Sequence, residues 1–330
     1  MHQRVAGDEV GRARKWDEIE AGLTRRQFVI GAGGVAGAAL LGGGLAIRYL
    51  PLRDWYYRST GRYGKAGAIP PPSGATVFYE RLPSRVLGFD VEYGIALPPG
   101  ARRGEPLPVC FCLPGRGSSA RAVLGPSLYM SDFVGQAVRE HGTVPFALAA
   151  IDGGESYWHR RATGEDRMKM LLDEFVPLCA DRYRLGAGNH GRAIMGWSMG
   201  GYGALRAAEI APATFVAVAA ASPALWTSYA AMAGSAGDAF DSAADYAAND
   251  VFAAVDRLVS VKVRIDCGTA DPFCAADRAF VAALAKPPAG GFSAGGHNAD
   301  YWRRVAPDEV DFIGRALGAR SATSEGSAEA

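Results

Sequence analysis

From residue 75 onward, short apolar runs alternate with segments whose apolar residues recur at helical spacing. The runs predict buried strands and the intervening segments predict amphipathic helices. We expect strands at 76–82, 86–97, 107–113, 146–151, 192–196, 215–221 and 261–266, and helices at 120–140, 168–180, 246–258, 277–284 and 299–317. This alternation is typical of an α/β fold with a mostly parallel central sheet covered by helices on both faces. Functional side chains are then expected at the carboxyl ends of the strands.

The segment before this domain has a different pattern. Residues 1–23 are charged and aperiodic, which predicts a disordered cytoplasmic region. Within residues 24–50, Arg25 and Arg26 precede an uncharged run at 27–47, whose apolar part begins at Phe28. Paired arginines before a glycine-rich apolar run resemble a twin-arginine export signal, whose partner is the twin-arginine export machinery. No clean cleavage site follows, so a cleaved signal and an uncleaved membrane anchor both stay open. Either way, we expect the domain beyond it outside the cytoplasm, extracellular or in the cell envelope.

Proline and glycine set the remaining boundaries. Residues 51–74 have linker composition, so the folded domain is predicted to span residues 75–317. Residues 318–330 are small and polar and are predicted to form a disordered tail. A chain of 330 residues that is 49% hydrophobic can bury one large core in that domain.

Charge and cysteine content narrow the class of partner. The formal net charge is +1 with both signs interspersed, which favours neither a nucleic-acid partner nor a polybasic membrane surface. Metal-ligand spacing is absent from the sequence, so neither a metal nor another cofactor is expected. The five cysteines are interpreted as small buried residues, and one bridge between Cys267 and Cys274 stays open.

The most informative motif lies between a predicted strand and a predicted helix. Residues 196–200 read Gly-Trp-Ser-Met-Gly, which places Ser198 on the strand-to-helix turn that a nucleophile elbow requires. The turn is so sharp that the residues two before and two after the serine must lack bulky side chains. Gly196 and Gly200 meet this demand, so Ser198 is the candidate nucleophile.

An acid and a base follow the serine in the order Ser, Asp, His. His297 is the only histidine after Ser198, and Asp271 lies in the loop beyond the strand at 261–266. A serine needs a histidine to accept its proton, and the histidine needs a carboxylate to fix its tautomer. Asp266 is the rival acid but can instead cap the following turn, and Asp300 is expected to begin the last helix.

Two backbone N–H groups are expected to stabilise the oxyanion. One is that of Met199, directly after the nucleophile, and the other is that of Arg116 in the glycine-rich loop after the strand at 107–113. The substrate pocket has aromatic candidates in loops near the same strand ends. Tyr157, Trp158, His159 and Trp226 are predicted to bind substrate, with packing on the core as an equal alternative.

Taken together, these motifs resemble the Putative esterase family of α/β-hydrolases, which contains S-formylglutathione hydrolase (esterase D) and the mycolyltransferases. The resemblance covers residues 75–317 and rests on 97–100, the glycine-rich loop, 196–201, 266–273 and 296–297. It implies an α/β-hydrolase fold and acyl chemistry by Ser198, Asp271 and His297. The chain departs from the cytosolic thioesterases in its export signal, and from the mycolyltransferases in having Asp rather than Glu as the acid.

The predicted function is therefore serine carboxylic-ester hydrolysis through an acyl-enzyme, on an exported or envelope-associated small-molecule or lipid ester. One alternative is an acyltransferase that moves an acyl chain to a sugar or lipid alcohol, which would differ only in excluding water. A second is a non-catalytic envelope-binding protein on a hydrolase scaffold. A peptidase is a weaker third.

Overall fold

The computed structural model describes residues 57–187 and 191–326. The chain divides into two compact units, Met1–Ser59 and Thr60–Ala330, and the account below concerns the second. The predicted export or anchor segment lies outside the described residues. In the part that is described, no helix combines the length and the apolar character needed to cross a membrane.

The second unit is built on one eight-stranded sheet. The strands are β1 Thr76–Ser84, β2 Phe89–Leu97, β3 Val109–Leu113, β4 Ala147–Ile151, β5 Arg192–Trp197, β6 Ala217–Ala221, β7 Lys262–Gly268 and β8 Ala289–Ser293. Their order across the sheet is β1-β2-β4-β3-β5-β6-β7-β8. The β1–β2 and β2–β4 pairs are antiparallel, and all other pairs are parallel. The predicted α/β-hydrolase architecture, with a mostly parallel sheet, is confirmed.

The central strands are apolar on both sides because helices cover both faces of the sheet. Every residue of β3, β4 and β6 is buried. Alternate residues enter different cores: Phe111 faces the cluster that also contains Trp158 and Tyr202, whereas Cys110 and Cys112 face the cluster that contains Trp197 and the last helix. All five cysteines are buried free thiols, so the bridge left open between Cys267 and Cys274 is not formed.

The helices begin and end at α1 Ala120–Leu124, α2 Met130–Glu140, α3 Arg167–Met170, α4 Val176–Tyr183, α5 Met199–Ile210, α6 Tyr229–Ala236, α7 Ala243–Ala248, α8 Cys274–Ala283 and α9 Ala299–Gly326, with a 3-10 helix at Val251–Ser260. The single helix predicted at 120–140 is two, because the chain turns at Gly125 and at Tyr129, which has a left-handed φ of 56°. A π-helical turn, Leu171–Phe175, separates α3 from α4, where Pro177 has no N–H to donate to the preceding turn.

Several predicted boundaries need correction. Strand β8 and helix α6 were not predicted, because Gly290 and Gly291 give β8 no strand signal and α6 is a short run of small residues. The segment predicted at 246–258 is α7 followed by the 3-10 helix. Helix α9 continues to Gly326, so the tail predicted to be disordered from Gly318 starts inside a helix, where Ala319 and Ala322 favour helix.

The linker predicted at 51–74 is also shorter than expected, because the compact unit begins at Thr60. Ser73 is buried, and its N–H donates to Asp132 Oδ1 at 2.7 Å. Gly67 N–H donates to the carbonyl oxygen of Asp300 at 2.8 Å. Proline and glycine therefore mark an extended segment that packs on the domain rather than a free connection.

Candidate active site

Ser198 occupies a strained turn between β5 and α5. Its φ of 55° and ψ of −121° lie in a region that non-glycine residues rarely adopt. The flanking glycines are required by close backbone approach: a Cβ on Gly196 would overlap the carbonyl of Gly200, and one on Gly200 would overlap the carbonyl oxygen of Leu113 in β3. The turn thus presents the Ser198 hydroxyl at the carboxyl edge of the sheet, as the motif predicts.

The structure brings Ser198, His297 and Asp271 into one hydrogen-bonded chain. His297 Nε2 lies 2.8 Å from Ser198 Oγ, and His297 Nδ1 lies 2.8 Å from Asp271 Oδ2. The Asp271 side chain is fully buried, whereas 25% of the His297 side chain is exposed. The second carboxylate oxygen of Asp271 accepts from the N–H of Phe273 at 2.9 Å. Because a carboxylate only accepts, Nδ1 carries the proton and Nε2 is free to accept one from the serine.

Asp266 and Asp300 have other partners. The Asp266 carboxylate accepts two hydrogen bonds from the Arg264 guanidinium on the same strand, at 2.6 and 3.1 Å, and burial raises its pKa. Asp300 lies in the first turn of α9 and accepts from Arg303. Asp271 is therefore the acid that contacts the histidine.

The two predicted oxyanion donors lie in the segments expected for them. Met199 is the first residue of α5, where a backbone N–H has no acceptor within the helix. Gly115 in the neighbouring loop lies beside Ser198, because a Cβ there would be in van der Waals contact with Ser198 Cβ, at 3.5 Å. Among the described residues, the backbone N–H groups of Met199 and Arg116 have no hydrogen-bond acceptor.

The Arg116 side chain contacts a different part of the domain. Its guanidinium donates to both carboxylate oxygens of Asp238, at 2.8 Å for one of them, and to Glu155 at 3.2 Å. Arg116 holds the pKa of Asp238 below its ordinary value. The glycine-rich loop is thereby joined to the loop that follows α6.

Two of the four predicted substrate-binding residues belong to the core. Trp158 is completely buried, and its ring lies against Gly153 and Gly203. His159 is 2% exposed, stacks on Phe240, and has both ring nitrogens against carbonyl oxygens, those of Arg160 and Ala239. For Trp158 and His159 the structure therefore favours the alternative of packing on the core, because the loop turns both side chains inward.

Tyr157 and Trp226 are also largely buried but lie closer to the triad. Their rings are in contact, with centroids 5.7 Å apart. Trp226 also contacts Phe273 at 5.3 Å, and Phe273 contacts the His297 ring at 5.2 Å. A continuous series of aromatic rings therefore leads from Tyr157 to the imidazole.

Sequence reasoning missed two aromatic neighbours of the imidazole, Phe273 and Trp302. The Trp302 ring lies 5.2 Å from that of His297 in an edge arrangement. Phe273 follows Asp271 by two residues and Trp302 follows His297 by five, so proximity to the triad in the sequence was the available signal. Within the described ranges, no group of three or more His, Cys, Asp or Glu side chains could hold a metal ion.

Comparison with known proteins assigns the family. The model of the family described as Putative esterase matches residues 84–304, more than half of the chain. The chain belongs to this family. It is a carboxylic-ester hydrolase, with the fold of the esterases. No curated protein matches the sequence.

Solved structures of esterases share the fold of this family member at low sequence identity. A ferulic acid esterase is 21% identical with a TM-score of 0.64, and the match covers 74% of this chain and 98% of that one. The S-formylglutathione hydrolase of Agrobacterium tumefaciens is 17% identical with a TM-score of 0.57, covering 77% and 99%. The fluorophosphonate-binding serine hydrolase F of Staphylococcus aureus is 16% identical with a TM-score of 0.56, covering 74% and 99%.

Proposed function

We propose that the protein is a serine esterase that cleaves its substrate through an acyl-enzyme on Ser198. The observation that carries this proposal is the hydrogen-bonded chain from Asp271 through His297 to the Ser198 hydroxyl. A serine hydroxyl is a weak nucleophile at neutral pH and becomes reactive when an adjacent base accepts its proton. His297 is within the distance that such a transfer requires.

In the first half of the reaction, Ser198 Oγ attacks the acyl carbonyl carbon as its proton passes to His297 Nε2. The carbonyl becomes a tetrahedral oxyanion, which the N–H groups of Met199 and Arg116 would stabilise. When the intermediate collapses, the bond to the alcohol oxygen breaks and His297 donates the proton to that oxygen. Asp271 stays ionised and stabilises the imidazolium throughout.

In the second half, water takes the place of the alcohol. His297 removes a proton from water as the water oxygen attacks the acyl carbon, and the same N–H groups hold the second oxyanion. Collapse releases the carboxylic acid and returns the proton to Ser198. The rings of Phe273 and Trp302 pack on the imidazole and restrict its rotation between the two halves.

The test is ester hydrolysis by the full chain beside three variants, Ser198→Ala, Asp271→Asn and His297→Ala. The substrate series consists of chromogenic esters of short to long acyl chains, a feruloyl ester and S-formylglutathione. The last two are included because enzymes with a similar fold are named after these substrates. We expect each variant to lose several orders of magnitude in kcat with its thermal unfolding unchanged. Activity of Ser198→Ala equal to the parent would exclude the mechanism.

A covalent organophosphorus probe separates this function from the alternatives. Labelling of Ser198 that requires His297 supports an enzyme, whereas a folded parent without turnover or labelling points to a non-catalytic binding protein. An acyltransferase is distinguished by supplying a sugar alcohol during turnover and comparing acylated acceptor with free acid. Release of acid alone supports the hydrolase.

We propose further that the domain works outside the cytoplasm, exported by the twin-arginine route. The support is the sequence alone: Arg25 and Arg26 precede the uncharged run at 27–47, whose apolar part begins at Phe28. Replacing both arginines by lysine should leave the protein in the cytoplasm, as measured by cell fractionation. A membrane-bound product of full length would favour the uncleaved anchor, and a shortened soluble product would favour cleavage.

A further inference from the structure

The segment 60–74, here called the strap, crosses the surface next to the loop that carries His297. Three of its residues, Gly67, Pro70 and Ser73, are buried at intervals of three, while most of the others are exposed. A period of three is that of a polyproline-II helix, which suits the three consecutive prolines at 70–72. The strap thus presents one regular edge to the domain.

The strap is fixed where it meets the first turns of α9. Gly67 N–H donates to the Asp300 carbonyl oxygen at 2.8 Å. The approach is so close that a Cβ on Gly67 would overlap the backbone of Arg303 and Arg304. At its other end, Ser73 donates from its N–H to Asp132 at 2.7 Å, and its carbonyl oxygen accepts from Arg139.

Arg304 joins the strap to the residues before the histidine. Its Nη1 donates to the carbonyl oxygens of Lys65 at 2.6 Å and Tyr63 at 3.3 Å, and its Nη2 donates to the carbonyl oxygen of Ala294. Its guanidinium also lies 5.0 Å from the ring centroid of Tyr301. One side chain therefore holds both the strap and the start of the histidine loop.

The histidine loop, residues 294–298, needs such support because it contains two consecutive glycines before His297. Gly295 is packed under the Tyr301 ring, and its carbonyl oxygen accepts from Ala270 N–H at 2.9 Å. Gly296 is packed under a strap residue: a Cβ there would collide with Cε1 of Tyr63. The backbone directly before the catalytic imidazole therefore rests on the strap.

We propose that the strap is part of the catalytic apparatus, and that Tyr63 and Arg304 are positioning residues that hold the His297 loop in register with Ser198 and Asp271. This inference rests on the proposed serine mechanism. An imidazole displaced by about 1 Å costs about a hundredfold in rate even when every reacting group is present. Loss of the strap contacts should therefore lower kcat while substrate binding changes little.

The test uses the full chain with Arg304→Met and Tyr63→Ala, beside Arg182→Met as the matched control. Arg182 likewise pairs with a polar partner, Glu80 at 2.7 Å, and lies 5.4 Å from a tyrosine ring, but it is on α4. We expect kcat to fall ten- to a hundredfold in both strap variants, with KM within about twofold and no change in the control. Arg304→Lys should recover part of the loss, because an ammonium can reach some of the carbonyl oxygens.

A readout that does not depend on turnover separates this inference from the proposed function. The Nδ1 proton shared with Asp271 should give a downfield proton NMR signal that is absent from His297→Ala. Faster exchange with water should broaden that signal in the strap variants and not in Arg182→Met. If the parent is inactive, and the signal that it shows is lost from the strap variants but kept in Arg182→Met, the proposed function fails, while the strap still holds the His297 loop without a part in catalysis. The inference would be overturned if both strap variants gave the NMR signal and the kcat of the parent. If Arg304→Met does not fold, the same two measurements on Tyr63→Ala decide whether the inference holds.

Discussion

Two glycine-rich turns bring the nucleophile and the base together, and they are held by different means. In the nucleophile turn, Gly196 and Gly200 are required because β3, β5 and α5 approach each other backbone to backbone. In the histidine loop, Gly295 and Gly296 lie under the side-chain rings of Tyr301 and Tyr63. The first turn is fixed by backbone contacts among two strands and a helix. The second has a backbone hydrogen bond to Ala270 and, in addition, side-chain contacts from the last helix and from the strap.

This difference determines how each turn should respond to change. A methyl group that meets backbone must shift a strand or a helix, whereas one that meets an aromatic ring can be accommodated by movement of that ring. We therefore expect damage to the nucleophile turn to affect folding itself. Damage to the histidine loop should leave the fold intact and affect the alignment of the triad.

The largest effect is expected for Gly200→Ala. Its Cβ would overlap the carbonyl oxygen of Leu113, so β3 and α5 would have to separate. We expect little or no folded protein, measured by soluble yield and by thermal unfolding. Gly234→Ala is the control, since that glycine lies in α6 with open space around it and alanine favours helix. A Gly200→Ala variant as stable as the parent would show that the turn is not held by backbone contact.

Two tryptophans allow the same comparison, because one packs on helix α5 and the other is connected to His297. Trp158 packs on Gly203 in α5, and Trp226 reaches His297 through Phe273. We expect Trp158→Ala to lower the free energy of unfolding by about 3–5 kcal/mol and to leave KM unchanged. Trp226→Ala should cost less stability and change KM or the preferred acyl length. Denaturant unfolding measures the change in stability, and kinetics on the ester series measure the change in KM and acyl preference. A change of acyl preference in Trp158→Ala would show that Trp158 contacts the substrate.

A smaller effect is expected for Gly296→Ala. The added methyl displaces the Tyr63 ring or the loop, so kcat should fall by up to about a hundredfold, or about 2.7 kcal/mol, with thermal unfolding little changed. Gly291→Ala is the matched control, because that glycine lies in the preceding strand β8 with open space around it. Equal kcat in the two variants would mean that the histidine loop does not depend on the strap.

The same difference explains what the sequence could predict. Ser198, Gly196 and Gly200 could be predicted because they lie within one short stretch of sequence. A strand, a turn and a helix in direct succession there indicate a nucleophile elbow. The order Ser198, Asp271, His297 was also visible, because Ser198 and Asp271 each follow an apolar run that ends at the same edge of the sheet, and His297 is the only histidine after the serine. The packing of the strap on the domain could not be predicted, since proline and glycine are typical both of a free linker and of an extended segment packed on a surface.

Side-chain direction was the second limit. Tyr157 and Trp158 both have positive φ, at 55° and 50°, and this local backbone sends Trp158 into the core. A sequence does not reveal such angles in non-glycine residues, so substrate binding and packing on the core stayed equal alternatives for this loop. Phe273 and Trp302 were missed because their contacts with His297 depend on how two loops pack against the first turn of α9.

The smallest effect concerns Glu209, which is buried near the end of the nucleophile helix α5. Its Oε2 accepts from Arg206 at 3.4 Å and its Oε1 has no partner among the described residues, so burial raises the pKa of the carboxyl from 4.5 to about 8. A carboxyl whose pKa is higher in the folded than in the unfolded state favours folding when protonated. The stability that it contributes is therefore complete below about pH 4.5 and is lost as the pH rises toward 8.

Glu209→Gln should remove this dependence, because glutamine stays neutral. We expect the variant to be more stable than the parent near pH 8 and similar to it near pH 4.5, with kcat unchanged at every pH. Denaturant unfolding across that range is the measurement, and Glu140→Gln on the exposed face of α2 is the control. Parallel stability curves for the parent and Glu209→Gln would mean that Arg206 stabilises the buried carboxylate and that helix α5 tolerates its charge at this position.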